Sequence, residues 1–552
     1  MKKPYYLFAL LGLGFSSCQS TSTSHYDGSR LDSSAIHSIN EQTFRNYVTT
    51  LASDNFLGRK PFTKGDTLTV NYIEKEFKTI GLQPGNGDSY FQEVPLVEIN
   101  SVPNNKELIF QGANGELKAM HLDDYVIGSS KLEESIEIPK TDLVFAGFGI
   151  VAPEYNWNDY EGLDVKGKTV VVMVSDPGRY DTTLFKADTM TYYGRWVYKF
   201  EEAARQGATG VLLIHETSAA SYGWNVVRNG WSGSQLGLIE KEGAQQLDFK
   251  GWISNEIAQK LFQLADINPN IVEQAKKPGF KAVDLKVSTT VSLTNTFKKS
   301  KSNNVVAKIE GSKRPDEVII YTAHWDHLGV GEATEGDSIF NGAIDNATGV
   351  AALFEIAKAF QVAKVKPKRS IIFLALTAEE EGLLGSAYYA ENPIYSFNKT
   401  VANLNMDMFN PIGAMNAVSI IGIGQTELED YASKSASKFN RKTVGESDPS
   451  AGLFYRSDHF SFVKKGVPGL FMGSGGEYIS QDTLAISIKK KALEGIYHTV
   501  ADEVNEHWDF EGILEDVRVF FDIGYTLSME KTFPNFKQKS EFKELGDKRL
   551  SK

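Results

Sequence analysis

A single cysteine, Cys18, in 552 residues leaves no partner for an intramolecular disulfide and no set of thiolates for a zinc finger. Any metal chemistry here must use His, Asp and Glu. No apolar run reaches the roughly 18–20 residues of a membrane-spanning helix. Positive charge is also in deficit: 58 Lys and Arg against 70 Asp and Glu give a net charge of −12. Such a surface repels polyanions, and no basic stripe reverses it, so nucleic acid is not an expected partner. What is present is ordinary globular material, 41% hydrophobic and 23% charged. That excludes a chain disordered throughout, a collagen-like fibre and a polytopic membrane protein. The length exceeds what one hydrophobic core normally serves, which predicts two or three domains.

The amino terminus reads as an export signal. Lys2-Lys3, the apolar run Tyr5–Phe15 and Ser16-Ser17-Cys18 follow the order of a secretory signal. The cysteine placed after two small residues resembles a bacterial lipobox, whose Cys is lipidated after cleavage. A plain signal peptide with an incidental cysteine is the competing reading. Residues 1–18 are expected to form a lipoprotein-type signal and 19–40 a flexible tether. The mature protein would then be exported and anchored to a membrane through Cys18, as a periplasmic or cell-surface lipoprotein.

Beyond the tether the chain divides into stretches of different character. Residues 41–138 carry helical periodicity, with Tyr72, Ile73, Glu76, Phe77 and Ile80 spaced by threes and fours before Gly81. Residues 139–290 contain the β-branched run Val170–Val174, a helical pattern over Lys199–Gln206 and a second strand pattern at Gly210–Ile214. This is a β-α-β signature and predicts a smaller α/β domain inserted in the first. Residues 291–530 again alternate strands with helices, and 531–552 read as a solvated Lys/Glu-rich tail. The expected class is α/β, a mostly parallel central sheet flanked by helices.

Three strand patterns of the third stretch end at metal-binding residue types. Val318–Ala323 runs into His324, Ile371–Leu376 into Glu379-Glu380-Glu381, and Val401–Met406 into Asp407. In open α/β sheets, ligands bind beyond the carboxyl ends of strands, so these side chains are expected around one crevice. Asp326, two residues after His324, falls on the same side of an extended segment and can orient the imidazole. Asp345 precedes a helical pattern and by itself reads equally as an N-cap. A lone Glu run reads as a solvated face, and Asp407 alone as a loop residue. Together with His498, the group supplies two imidazoles and three carboxylates, enough for two divalent ions sharing one carboxylate.

At these residues the sequence resembles a known family. Thr322-Ala323-His324-Trp325-Asp326-His327-Leu328-Gly329, Asp345-Asn346-Ala347-Thr348-Gly349 and Thr377-Ala378-Glu379-Glu380-Glu381-Gly382-Leu383-Leu384-Gly385-Ser386 resemble the co-catalytic di-zinc aminopeptidases. That superfamily also holds glutamate carboxypeptidases, glutaminyl cyclases and the transferrin receptor. Leu51 to Arg59 is similar to the family's amino-terminal helix and loop. Gly147–Val151 and Tyr193-Gly194-Arg195-Trp196 resemble the protease-associated domain inserted in many members. The resemblance implies two divalent metals, zinc by ligand type, although cobalt or manganese fits the same donors. It implies one metal on His324 and Asp407, the other on Glu380 and His498, with Asp345 bridging. The bond after the bridging Asp, here Asp345–Asn346, is often cis in the family. Asp326 would orient His324. Glu379 would be the general base, chosen over Glu381 by the Glu-Glu-x-Gly-Leu register.

His498, in Tyr497-His498-Thr499, stands further from the last strand pattern than the family places it. His459 in Arg456-Ser457-Asp458-His459 is the competing ligand. That segment resembles one bordering the family's substrate pocket, so Arg456, Asp458, His459 and Tyr497 are pocket candidates. His327 reads as a loop residue near the site, His121, His215 and His507 as structural or surface positions. Arg195 and Lys199 read as salt-bridged surface of the insert, unless the insert folds over the crevice and brings one of them to substrate. The implied activity is aminopeptidase hydrolysis of peptides by an activated water. A carboxypeptidase or dipeptidase, for which Arg456 and Arg195 are the candidates to hold a substrate carboxylate, a glutaminyl cyclase and a non-catalytic binding protein remain the alternatives.

Overall fold

The computed structural model describes residues 33–239, 245–334 and 336–551, so the signal, Cys18 and most of the tether lie outside the described residues. The part of the tether that is described is folded rather than loose. Ser33–Ser38 is helical, and Ala35, Ile36 and Ile39 are buried in the main core. Asn40 then caps Glu41–Leu51, its side chain accepting from the Thr43 amide. Thr63 caps Lys64–Ile80 in the same way, and Gly81, at φ 88°, closes that helix.

Four parallel strands form the middle of the sheet, in the order Arg369–Leu376, Arg314–His324, Thr400–Asn405 and Gly469–Tyr478. Antiparallel neighbours flank them, Val283–Ile309 on one side and Met415–Ile420 on the other. Alternate residues of each central strand enter different cores. Ile319, Tyr321 and Ala323 pack with the helices Glu41–Leu51, Lys64–Ile80, Thr348–Val362 and Glu511–Met529. Val318 and Ile320 face the opposite layer with Tyr389, Phe462 and Val467. Burial on both faces explains the nearly continuous apolar runs. Among the described residues no helix is long and apolar enough to cross a membrane.

The insert contains the expected β-α-β unit, Thr169–Met173, Trp196–Arg205 and Gly210–His215, with its strands parallel. Its limits differ from the expected 139–290. Leu108, Phe110, Ala119, Tyr125 and Ile127 lie in the insert's core, so the segment placed in the first peptidase stretch belongs by packing to the insert. The far limit is no linker either. One 27-residue strand, Val283–Ile309, pairs with Ser135–Phe145 of the insert, then with Phe91–Pro103, and ends against Arg369–Leu376. The two units thus share a continuous ladder.

The tail also departs from expectation. Phe536 and Phe542 are buried with Phe454, Tyr455, Phe460 and Val463, and Lys543–Leu550 is a helix. Arg549 donates to the Thr400 carbonyl at 2.6 Å. The Lys/Glu content describes the outer face of this segment, while its two phenylalanines anchor the inner one.

Candidate metal centre and active site

The strand order carries the expected residues to one edge. His324 ends its strand, and Glu379, Glu380 and Asp407 lie in the loops that follow the neighbouring two. Asp345 arrives from the turn before the helix Thr348–Val362, and its bond to Asn346 is cis. Its carboxylate is turned inward rather than used as a cap: Oδ1 lies 3.2 Å from His324 Nε2, and Oδ2 lies 3.2 Å from His498 Nε2. Two corners share this one carboxylate. His324 Nε2 also meets Asp407 Oδ1 at 3.1 Å, and His498 Nε2 meets Glu380 Oε2 at 3.0 Å. Three non-glycine residues at the site adopt left-handed φ: Ala378 before Glu379, Met408 after Asp407, and His498 itself. Such strain persists only where surrounding structure imposes it.

Each donor is held from behind. Ser457 donates to Asp407 Oδ2 at 2.5 Å, while Asn405 donates to Ser457 at 2.7 Å and Thr322 to Asn405 at 2.6 Å. The Asp502 carboxylate accepts the amides of Ile344 and Asp345, which sets the bridging turn. Asp326 acts differently from expectation. Its carboxylate stands 3.9 Å from His324 Nδ1, which is nearer the Asp326 carbonyl at 3.3 Å. That carboxylate instead accepts from the amides of Glu379 and Glu380, so it holds the glutamate loop.

Sequence reasoning missed two supports. His327, read as a nearby loop residue, is buried with Nδ1 2.6 Å from Glu380 Oε1. No local pattern marked it, because residues 325–328 follow no regular element. Arg59 is buried and donates to the carbonyls of Leu51, Trp325, Asn341 and Gly342, clamping the loops that carry His324 and Asp345 together. Gly58, at φ 62°, lets this loop approach, since a Cβ there would stand 2.4 Å from the Gly329 carbonyl oxygen.

The electrostatics fit cations. Ligating atoms of His324, Glu379 and Asp407, and of His324, Asp345 and Glu380, lie within 4.8 Å of one another. Burial alone would raise the Asp345 pKa, but the imidazoles of His324 and His498 at its two oxygens hold it below the usual range. Burial works against charge on His498 too, and Asp345 and Glu380 push it back up to about 9. Burial holds the Glu379 carboxyl well above its ordinary range, with Asp407, Glu380 and Asp458 acting the same way and His324 against. No hydrogen bond of good geometry satisfies the buried His498 Nε2, although it lies 3.2 Å and 3.0 Å from carboxylate oxygens. A nitrogen lone pair aimed between oxygens, among buried carboxylates in excess of imidazoles, suits divalent ions with N/O ligands.

His324, Asp345, Glu379, Asp407, Arg456 and Tyr497 line a cavity of about 450 Å³ with an otherwise mixed wall including Met408, Phe471 and Met472. Glu381 is turned away, 3.8 Å from Lys60 Nζ. Asp458 and His459 do not line the cavity and are corrected to interior positions. His459 is fully buried between Phe454 and Phe471, and burial pushes its pKa down to about 3. It is therefore neutral, away from the centre, and no rival to His498. Protons then bind the unfolded state preferentially between about 3 and 6.5, so stability attributable to His459 is full above 6.5 and lost as pH falls. The loss is roughly 1.4 kcal/mol per pH unit in that window. The His459→Gln variant is expected to show a flatter decline in unfolding free energy between pH 6.5 and 4, measured by denaturant titration. A decline equal to that of the unsubstituted protein would assign the acid sensitivity elsewhere.

The salt-bridged surface expected for Lys199 and Arg195 is also corrected. Lys199 is buried and donates to the Ser175 carbonyl at 2.9 Å. Arg195 makes no ion pair among the described residues. His215 is structural, its Nε2 3.1 Å from the Tyr222 carbonyl oxygen.

Comparison with known proteins agrees with this geometry. Residues 304–517 match the model of peptidase family M28. A "probable leucine aminopeptidase 2" of Aspergillus oryzae is 30% identical over 280 residues, 49% of this chain and 50% of that protein. A "Probable zinc metalloprotease" of Pyricularia oryzae is 40% identical over 91 residues, 16% of this chain and 18% of that protein. The match thus spans half or less of these curated relatives. The solved aminopeptidase from Aneurinibacillus sp. strain AM-1 superposes with a TM-score of 0.51 at 18% identity, over 91% of this chain and 97% of that one, a likeness of fold. Residues 304–517, which match that family model, supply His324, Asp345, Glu380, Asp407 and His498, every donor at the centre.

Proposed function

We propose that the protein is a zinc-dependent aminopeptidase that hydrolyses the amino-terminal residue of peptides with two metal ions and Glu379 as general base. The observation that carries this is Asp345 offering one oxygen to each of two His–carboxylate corners at the wall of a cavity that Glu379 also lines. His324 and Asp407 would hold one ion, His498 and Glu380 the other, with Asp345 between them. The names of the relatives, a leucine aminopeptidase and a zinc metalloprotease, support the same reading. Two cations bound at such a centre would supply Lewis acidity toward a peptide carbonyl and lower the pKa of a nearby water. Glu379 accepts the proton of the attacking water and returns it to the departing amine. Asp326 keeps Glu379 in place through the loop amides, and Ser457 keeps Asp407 from turning. Export and acylation of Cys18 belong to this reading, supported by residues 2–18 of the sequence.

The test is hydrolysis of dipeptides with free, amino-acetylated and carboxy-amidated ends, with and without chelator. Chelator-sensitive cleavage that requires the free amine and tolerates the amide is the expected result. Strict dependence on a free carboxylate would instead establish a carboxypeptidase. No cleavage by metal-replete protein across the panel would overturn a peptidase function and favour a cyclase or a binding role.

A further inference from the structure

The carboxyl-terminal tail reaches the wall of the cavity through one buried carboxylate. Glu541, its side chain 2% exposed, joins the tail to two segments far away in the chain. Its Oε1 accepts from the Tyr192 amide of the insert at 3.1 Å and from the Tyr455 hydroxyl of the peptidase unit at 2.8 Å. Its Oε2 pairs with Lys186 of the insert at 2.9 Å. Aromatic rings close over this junction: Tyr192 packs on Phe460 at 4.8 Å between centroids, and Phe460 on Phe542 of the tail at 5.8 Å. A carboxylate this deeply buried is destabilising unless donors surround it, and these three donors all come from outside the tail.

The segment that Glu541 holds is one wall of the cavity. Leu453, Arg456 and Ser457 line the cavity, while Tyr455 between them is buried in the cluster of Phe454, Phe460 and Phe542. Residues 449–457 join no sheet and form only two single turns, Pro449–Ala451 and Leu453–Tyr455, on either side of Gly452. With no ladder or helix of its own, such a segment is fixed by contacts from elsewhere in the chain. The insert supplies one set: the Met190 amide donates to the Pro449 carbonyl at 3.2 Å, and a Cβ on Gly452 would stand 2.6 Å from Met190 Sδ. The tail supplies the other through the Tyr455 hydroxyl. Ser457 is secured separately by its bonds with Asp407 and Asn405, so the end of the segment that supports a metal donor does not depend on the tail.

We propose that Glu541 is a positioning residue for the peptidase reaction, holding the wall at residues 453–456 where a bound peptide rests against it. The inference rests on the peptidase reading and adds to it a residue beyond the matched region 304–517. Glu541 lines no part of the cavity and acts through Tyr455, one residue from Arg456 and two from Leu453. Without the carboxylate, the Tyr455 hydroxyl and the Tyr192 amide lose their acceptor inside a packed cluster, and the wall and the insert loop come loose together. Substrate binding then suffers and the chemical step does not, because the metal donors and Glu379 are held by other bonds.

Steady-state hydrolysis of Leu-Gly-amide by the zinc-loaded protein separates the two constants. Glu541→Ala is expected to raise KM by on the order of fivefold to fiftyfold, with kcat within about threefold of the unsubstituted value. Glu541→Gln should restore most of that loss, because its amide oxygen can replace Oε1 and only the partly exposed Lys186 pair disappears. Tyr455→Phe keeps the ring in its cluster and removes only the hydroxyl. It should raise KM in the same direction, and it remains informative if Glu541→Ala fails to fold. Combined, the two substitutions should raise KM by less than the product of their separate effects, since both remove the same bond. A general loss of stability would reduce the amount of active protein and leave KM unchanged. Hydrogen exchange of residues 449–457 should quicken in Glu541→Ala and Tyr455→Phe but not in Glu541→Gln. An unchanged KM in Glu541→Ala, or in Tyr455→Phe if that variant alone folds, would overturn the proposal whatever the exchange rates. Should the unsubstituted protein cleave no peptide, the peptidase reading fails and exchange decides the role of Glu541 alone. Faster exchange in Glu541→Ala would then uphold its hold on the cavity wall, and unchanged exchange would overturn it.

Discussion

Replacing Glu379 by Gln is expected to lower turnover by about 10²–10⁴-fold while leaving two metal ions bound, because the amide cannot accept the proton of the attacking water. The expectation discriminates, since the Glu379 carboxylate comes within 4.8 Å of His324 and Asp407 and could be taken for their third ligand. The geometry favours Asp345 for that place, with its Oδ1 3.2 Å from His324 Nε2. Glu379 instead lines the cavity, and its backbone amide is tied to Asp326 at 3.0 Å. Burial, reinforced by neighbouring carboxylates, raises its proton affinity, as a base requires. Metal counted by atomic spectroscopy beside steady-state kinetics checks both halves of the expectation. A variant that lost an ion together with its activity would reassign Glu379 as a ligand and leave the base to be found.

Substitution of Asp345 by Ala is expected to have the larger effect on metal. Each corner would retain one imidazole and one carboxylate, fewer than the three protein donors of ordinary catalytic zinc sites. Affinity at both corners should fall by more than about 100-fold, the upper range for loss of a group that merely supports a ligand. Activity should fall to background at any zinc concentration that does not itself inhibit. Equilibrium dialysis against buffered zinc measures the stoichiometry, and circular dichroism shows whether the turn around Asn346 still folds. Asn346 is held independently, its side chain donating to the Met406 carbonyl at 3.0 Å and accepting from Gly349 at 2.9 Å. Two ions retained at unchanged affinity would remove Asp345 from its bridging role.

What was legible in the sequence follows from the range over which each force acts. A strand buried on both faces needs an apolar run wherever it sits, so Val318–Ala323, Ile371–Leu376 and Val401–Met406 mark the sheet by local pattern alone. The residues that follow such runs lie at one edge because the strands are parallel. His324, Glu379, Glu380 and Asp407 could therefore be placed around a crevice before any contact was known. Helix ends were legible for the same reason: the Gly81 stop acts within one turn of its own helix.

Contacts between distant segments left no such mark. The resemblance favoured His498 over His459 by the residues around it, but only the packing separates them physically: one ring reaches Asp345 and Glu380 while the other is shut between two phenylalanines. His327 and Arg59 read as unremarkable loop residues until the loops of Gly58, Trp325 and Asn341 are packed together. The tail looked solvated because charge dominates its composition, yet two phenylalanines are enough to bury one face. The limits of the insert were misread because the 27-residue strand Val283–Ile309 serves both units, and pairing across a sheet is not written in periodicity. By itself the sequence determined the α/β class, the parallel strands and the residue types delivered to their edge, since these depend on burial and chain direction. The tertiary structure alone decided how Asp326 is used and that His327 and Arg59 are buried behind the centre, because each depends on where segments far apart in the chain come to rest against one another.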